Sequence, residues 1–266
     1  MKRICGLGLA VLFFAVQVAL PQTTTTTPTS DPQAIALATQ ALTALTGSVQ
    51  VSDVTLTGAA TRIAGSDIET GTITLEALGT GNSSLSLVTS AGTRSETRST
   101  ANGFPQGCWV GIDGTAHAMA NHNCVTDAVW FFPALTVLSQ AASTNVLAKY
   151  VGLETRNGGS VQHIRLQTQI PSPLLATLST EDIYLDSTSS LPVAIIFTTH
   201  PDANALANIP VEIDFSNYQT VSGVSVPFSI QKLLNGSLFL DITIQSATFN
   251  SGLSPSAFAA PCVQAQ

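Results

Sequence analysis

Apolar residues first recur with a regular period near the start of the chain, where Ile35, Ala38, Leu42 and Leu45 are spaced as on one face of a helix. Asp31 followed by Pro32 has the form of an N-cap and first helical residue, and Gly47 stops the pattern, so one amphipathic helix of about four turns is predicted. From Val49 the period becomes two: Val49 and Val51, then Ile73, Leu75 and Ala77, then Leu85 and Leu87 alternate with Thr, Ser and Glu. Gly71, Gly79, Gly81, Gly92 and Gly103 fall at the spacing of a meander's turns. Further strands are predicted at 146–155, 161–168, 182–186, 193–198, 211–215, 226–232 and 238–249. Asn235-Gly236 and Asn157-Gly158 mark tight hairpins, because Asn-Gly supplies the positive φ angles of a type I′ turn.

One stretch breaks the alternation. In 126–139, Ala128, Val129, Trp130, Phe131, Phe132, Leu135, Val137 and Leu138 are apolar without a two-residue period, which predicts a hydrophobic helix interrupted near Pro133. Apolar nearly all round, it must be buried against the sheet or against a ligand. The fold class expected is therefore mainly β with a few helices.

The ends of the chain place it in the cell. Met1, Lys2 and Arg3 precede an almost unbroken apolar run to Leu20, the pattern of a signal peptide over 1–21. Gly6, Gly8, Gln17 and Pro21 make it a poor membrane anchor. Export through the inner membrane, to a periplasmic or secreted location, follows. A threonine-rich linker occupies 22–30, a single domain 31–260 and a short tail 261–266. The formal charge of −7 becomes −9 once Lys2 and Arg3 are removed, which excludes the electrostatic footprint of a nucleic-acid binder.

Three cysteines remain beyond the leader. In an oxidising compartment Cys108 and Cys124, which flank a predicted strand pair, are the natural disulfide candidates, with Cys262 left over; buried thiols are the alternative. No CxxC spacing suggests a metal site, no G-x-S-x-G a nucleophile elbow, and no glycine-rich loop a nucleotide. His117 and His122 are five apart, which suits neither one helix face nor one strand face. His163 alternates onto the polar face of its strand, and His200 precedes Pro201 in a loop. Arg94, Glu96 and Arg98 share one strand face, read as solvated charges that compensate each other. No catalytic residue, metal or cofactor is assigned.

Residues 183–197 (IYLDSTSSLPVAIIF) form a strand, a D-x-x-T-x-L-P-like turn and a returning strand, and 211–230 (VEIDFSNYQTVSGVSVPFSI) a second strand pair around an F-S-x-Y-x-x-V-x-G motif. Together with the strand 242–249 and the closing Phe258-Ala-Ala-Pro261, these roughly 80 residues resemble the LolA-like superfamily of periplasmic lipoprotein carriers and outer-membrane lipoprotein-sorting proteins. The resemblance implies a strongly curved antiparallel sheet, an incomplete barrel, whose apolar concave face is covered by helices and holds acyl chains. It also makes Arg62 and Arg94 candidates for an arginine that latches the lid.

Three functions remain open from the sequence. One is binding of a lipid or other apolar ligand in a cavity lined by Trp130, Phe131, Phe132, Leu135 and Leu138. Another is a structural or interaction module of the envelope, with a protein partner, in which the same residues fill a core. The third is a hydrolase built on His117, His122 or His200 with nearby carboxylates.

Overall fold

The structure, a computed structural model, describes residues 29–101, 103–259 and Cys262. The expected signal peptide, most of the threonine-rich linker and most of the tail lie outside the described residues.

The predicted first helix is α1 (Pro32–Thr46), N-capped by the Asp31 carboxylate, which accepts from the Gln33 N–H, and ended by Gly47 at φ 57°. Its deepest face is Ala34, Ala38, Ala41 and Leu45, with Ile35 and Leu42 half-buried beside it. Three alanines on the buried face let the helix axis approach the sheet closely.

Thirteen strands form one antiparallel sheet: β1 (Asp53–Ala64), β2 (Asp67–Leu78), β3 (Asn82–Thr89), β4 (Gly92–Ala101), β5 (Phe104–Val110), β6 (Ala116–Ala118), β7 (Val146–Arg156), β8 (Gly159–Thr168), β9 (Thr180–Asp186), β10 (Pro192–Thr199), β11 (Ile209–Val221), β12 (Val224–Leu234) and β13 (Ser237–Phe249). The spatial order is β6-β5-β4-β3-β2-β1-β13-β12-β11-β10-β9-β8-β7. Two meanders thus run outward from a seam at which β1 pairs with β13, and the sheet is not closed into a barrel. Asp53 fastens the seam at one end by accepting from the Ser251 and Gly252 N–H groups at 2.7 and 3.1 Å. Asn157, Asn235 and the glycines after them have positive φ, as the two predicted hairpins require.

Gly71 is not a turn residue. It lies inside β2, where a Cβ would come 2.0 Å from the Val88 carbonyl oxygen, so the close approach of β3 requires a glycine.

Because β6 and β7 are consecutive in the chain yet lie at opposite edges of the sheet, residues 119–145 cross from one edge to the other. This crossover contains the stretch predicted as a helix, and it is not one. It holds 3-10 turns at Asn121–Asn123, Pro133–Leu135 and Val137–Gln140, joined by irregular chain. Pro133 lacks an N–H, and the Val129 and Val137 N–H groups bond the Asp127 carboxylate instead of helical carbonyls.

The disulfide also differs from expectation. Cys108 bonds Cys262, and Cys124 is a buried free thiol. Adjacent strand residues face opposite ways: the Gly107 side of β5 meets the Cys124 sulfur, so Cys108 points to the other side of the sheet, where it meets Cys262. Pro255–Phe258, a 3-10 turn just before Cys262, packs on β3 and β4 and buries Phe258.

The Cys108–Cys262 bond spans a sequence separation of 154. Replacing Cys262 by Ser is expected to lower stability by roughly 2–5 kcal/mol in chemical denaturation, and non-reducing peptide mapping should recover the 108–262 pair with Cys124 alkylated only after unfolding.

Candidate concave-face binding site

One directly paired row of side chains crosses the inner face of the sheet. It runs Ile164, Ile183, Ile195, Ile213, Lys232, Leu240, Arg62 and Glu69, from β8 to β2. β-branched residues pack well on a pleated surface, and four isoleucines in register give one half of this face an unbroken apolar floor. The other half of the row is charged except at Leu240.

The crossover lies on this face together with α1. Trp130, Phe131, Phe132, Leu135 and Leu138 are between 0 and 6 % exposed and belong to the main core. Trp130 meets Phe131 edge-on at 5.6 Å, and Phe132 packs on Phe249 of β13 at 5.8 Å. The five residues predicted to line a cavity are therefore brought together, packed into the concavity.

Few polar contacts fasten this cover. Arg98 is buried, paired with Glu96 at 2.8 Å and donating to the Asn123 carbonyl at 3.0 Å and the Thr126 hydroxyl at 3.4 Å. The Arg94-Glu96-Arg98 face is thus interior rather than solvated. Arg62 and Arg94, the latch candidates, both pair with Glu69 of β2, and Arg98 contacts the crossover instead. The Asn123 side chain bonds the His200 backbone on both sides, donating at 2.8 Å and accepting at 2.9 Å. The Ser83 hydroxyl donates to the Ala128 carbonyl at 2.5 Å.

Asp127 and Glu181 form a further buried fastening. Asp127 gathers the Val129 and Val137 N–H groups at 3.3 and 2.8 Å, closing the loop that carries the three aromatic residues. Its own N–H donates to Glu181 of β9 at 2.8 Å, while the second oxygen of Glu181 is buried without a partner. Burial pushes Asp127 up to about 6, and burial together with the charge of Asp127 raises Glu181 well above the usual carboxylate range. Each carboxyl of the pair therefore holds its proton to higher pH in the folded protein than it would in water. No local pattern signals this contact, since the two residues are 54 positions apart.

Lys232 is half-buried with its ammonium 4.3 Å from the centre of the Trp130 ring. Desolvation lowers its pKa to about 8 against the opposing pull of Glu96. Burial alone would raise Glu96, but Arg98 and Lys232 bring its carboxyl below the ordinary value.

The histidines do not converge on a catalytic constellation. His117 stacks on Trp109 at 4.0 Å, and His122 meets His200 edge-on at 5.9 Å, with the His122 ring bonded to the Pro201 carbonyl and the His200 ring to the Ala207 carbonyl. His163 is on the outer face as predicted but is buried there, 2.7 Å from both Glu154 and Asp182 and stacked on Tyr184. Among the described residues no group of three or more His, Cys, Asp or Glu could hold a metal ion. A groove of about 600 Å³ lies on the convex side, lined by Lys149, Arg165, Asp182 and Ile196 among others, and a smaller one of about 330 Å³ by Arg156, Asp214 and Gln231 among others.

Both carboxyl groups of the Asp127–Glu181 pair are raised on folding, so their contribution to stability is full below the unfolded carboxylate pKa and is lost as pH rises through the folded values. Glu181→Gln keeps the acceptor for the Asp127 N–H and supplies a neutral donor toward its carboxylate. Urea unfolding should find the variant equal to wild type near pH 4 and more stable at pH 8, by on the order of 1–4 kcal/mol.

No family model matches the sequence, and no curated protein matches it. Solved structures do match in fold. A domain described as outer membrane lipoprotein-sorting, from Vibrio parahaemolyticus, superimposes with a TM-score of 0.56 at 12 % identity, over 85 % of this chain and 96 % of its own. A DUF1329 family protein from Desulfovibrio piger gives 0.56 at 10 % identity, over 85 % and 95 %. A LolA superfamily protein from Nitrosomonas europaea gives 0.51 at 10 % identity, over 85 % and 97 %. These superpositions, with an antiparallel sheet that is not closed into a barrel, give the chain a LolA-like fold.

Proposed function

We propose that this is an exported, non-catalytic envelope protein that binds a lipid or other apolar ligand between the curved sheet and the crossover. Trp130, Phe131, Phe132, Leu135 and Leu138 occupy the concave face in the absence of ligand and line the cavity when the cover moves. The observation that carries this reading is the nature of that cover. The apolar floor is closed by irregular chain with three short 3-10 turns, whereas a second sheet would be locked by its own ladder. The Vibrio parahaemolyticus domain described as outer membrane lipoprotein-sorting, similar in fold, supports the ligand class. No helix among the described residues is long and apolar enough to cross a membrane.

A second reading is an envelope interaction module with a solid core and a protein partner. It is favoured by the close packing of the same five side chains and by the convex position of both grooves.

One measurement separates them. The chain has two tryptophans, and Trp109→Phe leaves Trp130 as the reporter. Titration with an acyl-chain ligand should shift and quench Trp130 emission with saturation near one equivalent, and raise the unfolding midpoint in proportion to the logarithm of free ligand. Saturating ligand with neither change would leave the solid-core reading standing.

A further inference from the structure

The concave face has a chemical gradient along its length, and the crossover contributes to only one side of its charge balance. Four of the seven basic residues beyond Arg3, namely Arg62, Arg94, Arg98 and Lys232, lie on or against this inner face. Arg62 and Arg94 share the single carboxylate Glu69, and Arg98 takes Glu96 as its ion pair. Lys232 is the surplus cation: among the described residues it makes no ion pair of its own, it shares the pull of Glu96 with Arg98, and its ammonium lies on the face of Trp130, a residue of the cover.

Moving the cover has unequal effects on these groups. Arg98 retains Glu96 on its own strand. Lys232 loses the ring that screens it and is left beside the apolar floor, directly paired with Ile213 on one side and Leu240 on the other. The other ionisable groups near this end are Glu96, already engaged by Arg98, and Asp127, which belongs to the cover and leaves with it. The Glu96 carboxylate is then the one negative charge acting on both Arg98 and Lys232, so the end of the face keeps a net positive charge and whatever replaces Trp130 is favoured if it brings a negative one.

We propose that the ligand is an anionic amphiphile whose head seats on Lys232 in place of the Trp130 ring and whose tail lies along Ile213, Ile195, Ile183 and Ile164. This inference rests on the binding function proposed above. Four strand spacings separate Lys232 from Ile164, roughly 19 Å along the sheet, a span suited to a long acyl chain. The partial charge of an ester carbonyl would not neutralise Lys232, whereas a carboxylate or phosphate would.

The test compares laurate with methyl laurate on the full chain by titration at neutral pH and fixed salt, in wild type, in Lys232→Met and in Lys149→Met, a lysine on the convex face. Wild type should bind laurate about tenfold more tightly than its ester, Lys232→Met should bring the ratio near one with the ester's affinity kept, and Lys149→Met should behave as wild type. Should Lys232→Met fold poorly, Lys232→Gln removes the charge with a polar end group and is read in the same way. Equal binding of acid and ester by wild type, or a preference that survives loss of the Lys232 charge, overturns the head-group assignment while leaving the apolar cavity in place. Binding of neither ligand overturns both.

Discussion

The pairing of β1 with β13 is the constraint on which the rest of the molecule depends. By joining the first and last strands in the middle of the sheet, it pushes β6 and β7 to the two edges, although only the crossover separates them in sequence. A chain that ends one meander at one edge and begins the next at the other has to span the sheet, and the concave face is the route on which its apolar residues can be buried. The core is therefore closed by the connection itself. An irregular connection buried this way exposes its backbone groups to the cost of desolvation, and the polar residues around it answer that cost: Asp127 for two N–H groups, Glu181 for a third, Ser83 and Arg98 for two carbonyls.

Local features were legible in the sequence because their causes are local. Asp31-Pro32 and Gly47 bound α1 within one residue, and the Asn-Gly pairs form the hairpins they predict, since cap and turn chemistry act over a few positions. The strands after the crossover were found from their alternation, and the motifs in 183–197 and 211–230 pointed to the LolA-like fold that the structural matches share. What failed was set by the sheet order. Residues 126–139 have helical hydrophobicity, yet a proline and the Asp127 carboxylate break the helix from within, and the second of these acts only once the loop has folded back on itself. Cys108 and Cys124 are close in sequence but lie on opposite sides of β5, a distinction that the parity of Gly107 and Cys108 settles and their spacing does not. The role of the Arg94-Glu96-Arg98 run was missed for the same reason: a strand's polar face is read as solvated unless one knows what crosses over it.

A chain with so few charges places many of them where water is scarce. Glu96, Arg98, Asp127, Glu181 and Lys232 form an interior group centred on Arg98, which acts on the ionisation of each of the other four. The outer face keeps its own charges, among them Lys149, Arg165 and Asp182, while the interior ones hold the cover. The carboxyl pair at one end and the Lys232–Trp130 contact at the other act on the same short segment, residues 127–130 of the cover.

The Cys108–Cys262 bond, finally, turns most of the protein into a covalent ring. The ring takes in the crossover and the whole second meander, leaving α1 and the first strands outside it. A peptide bond broken anywhere in the cover would open that ring without releasing either piece, and the β1–β13 seam would still hold the two meanders together. The cover can thus be the most yielding part of the molecule, even in a compartment with proteases, without being the point at which the molecule comes apart.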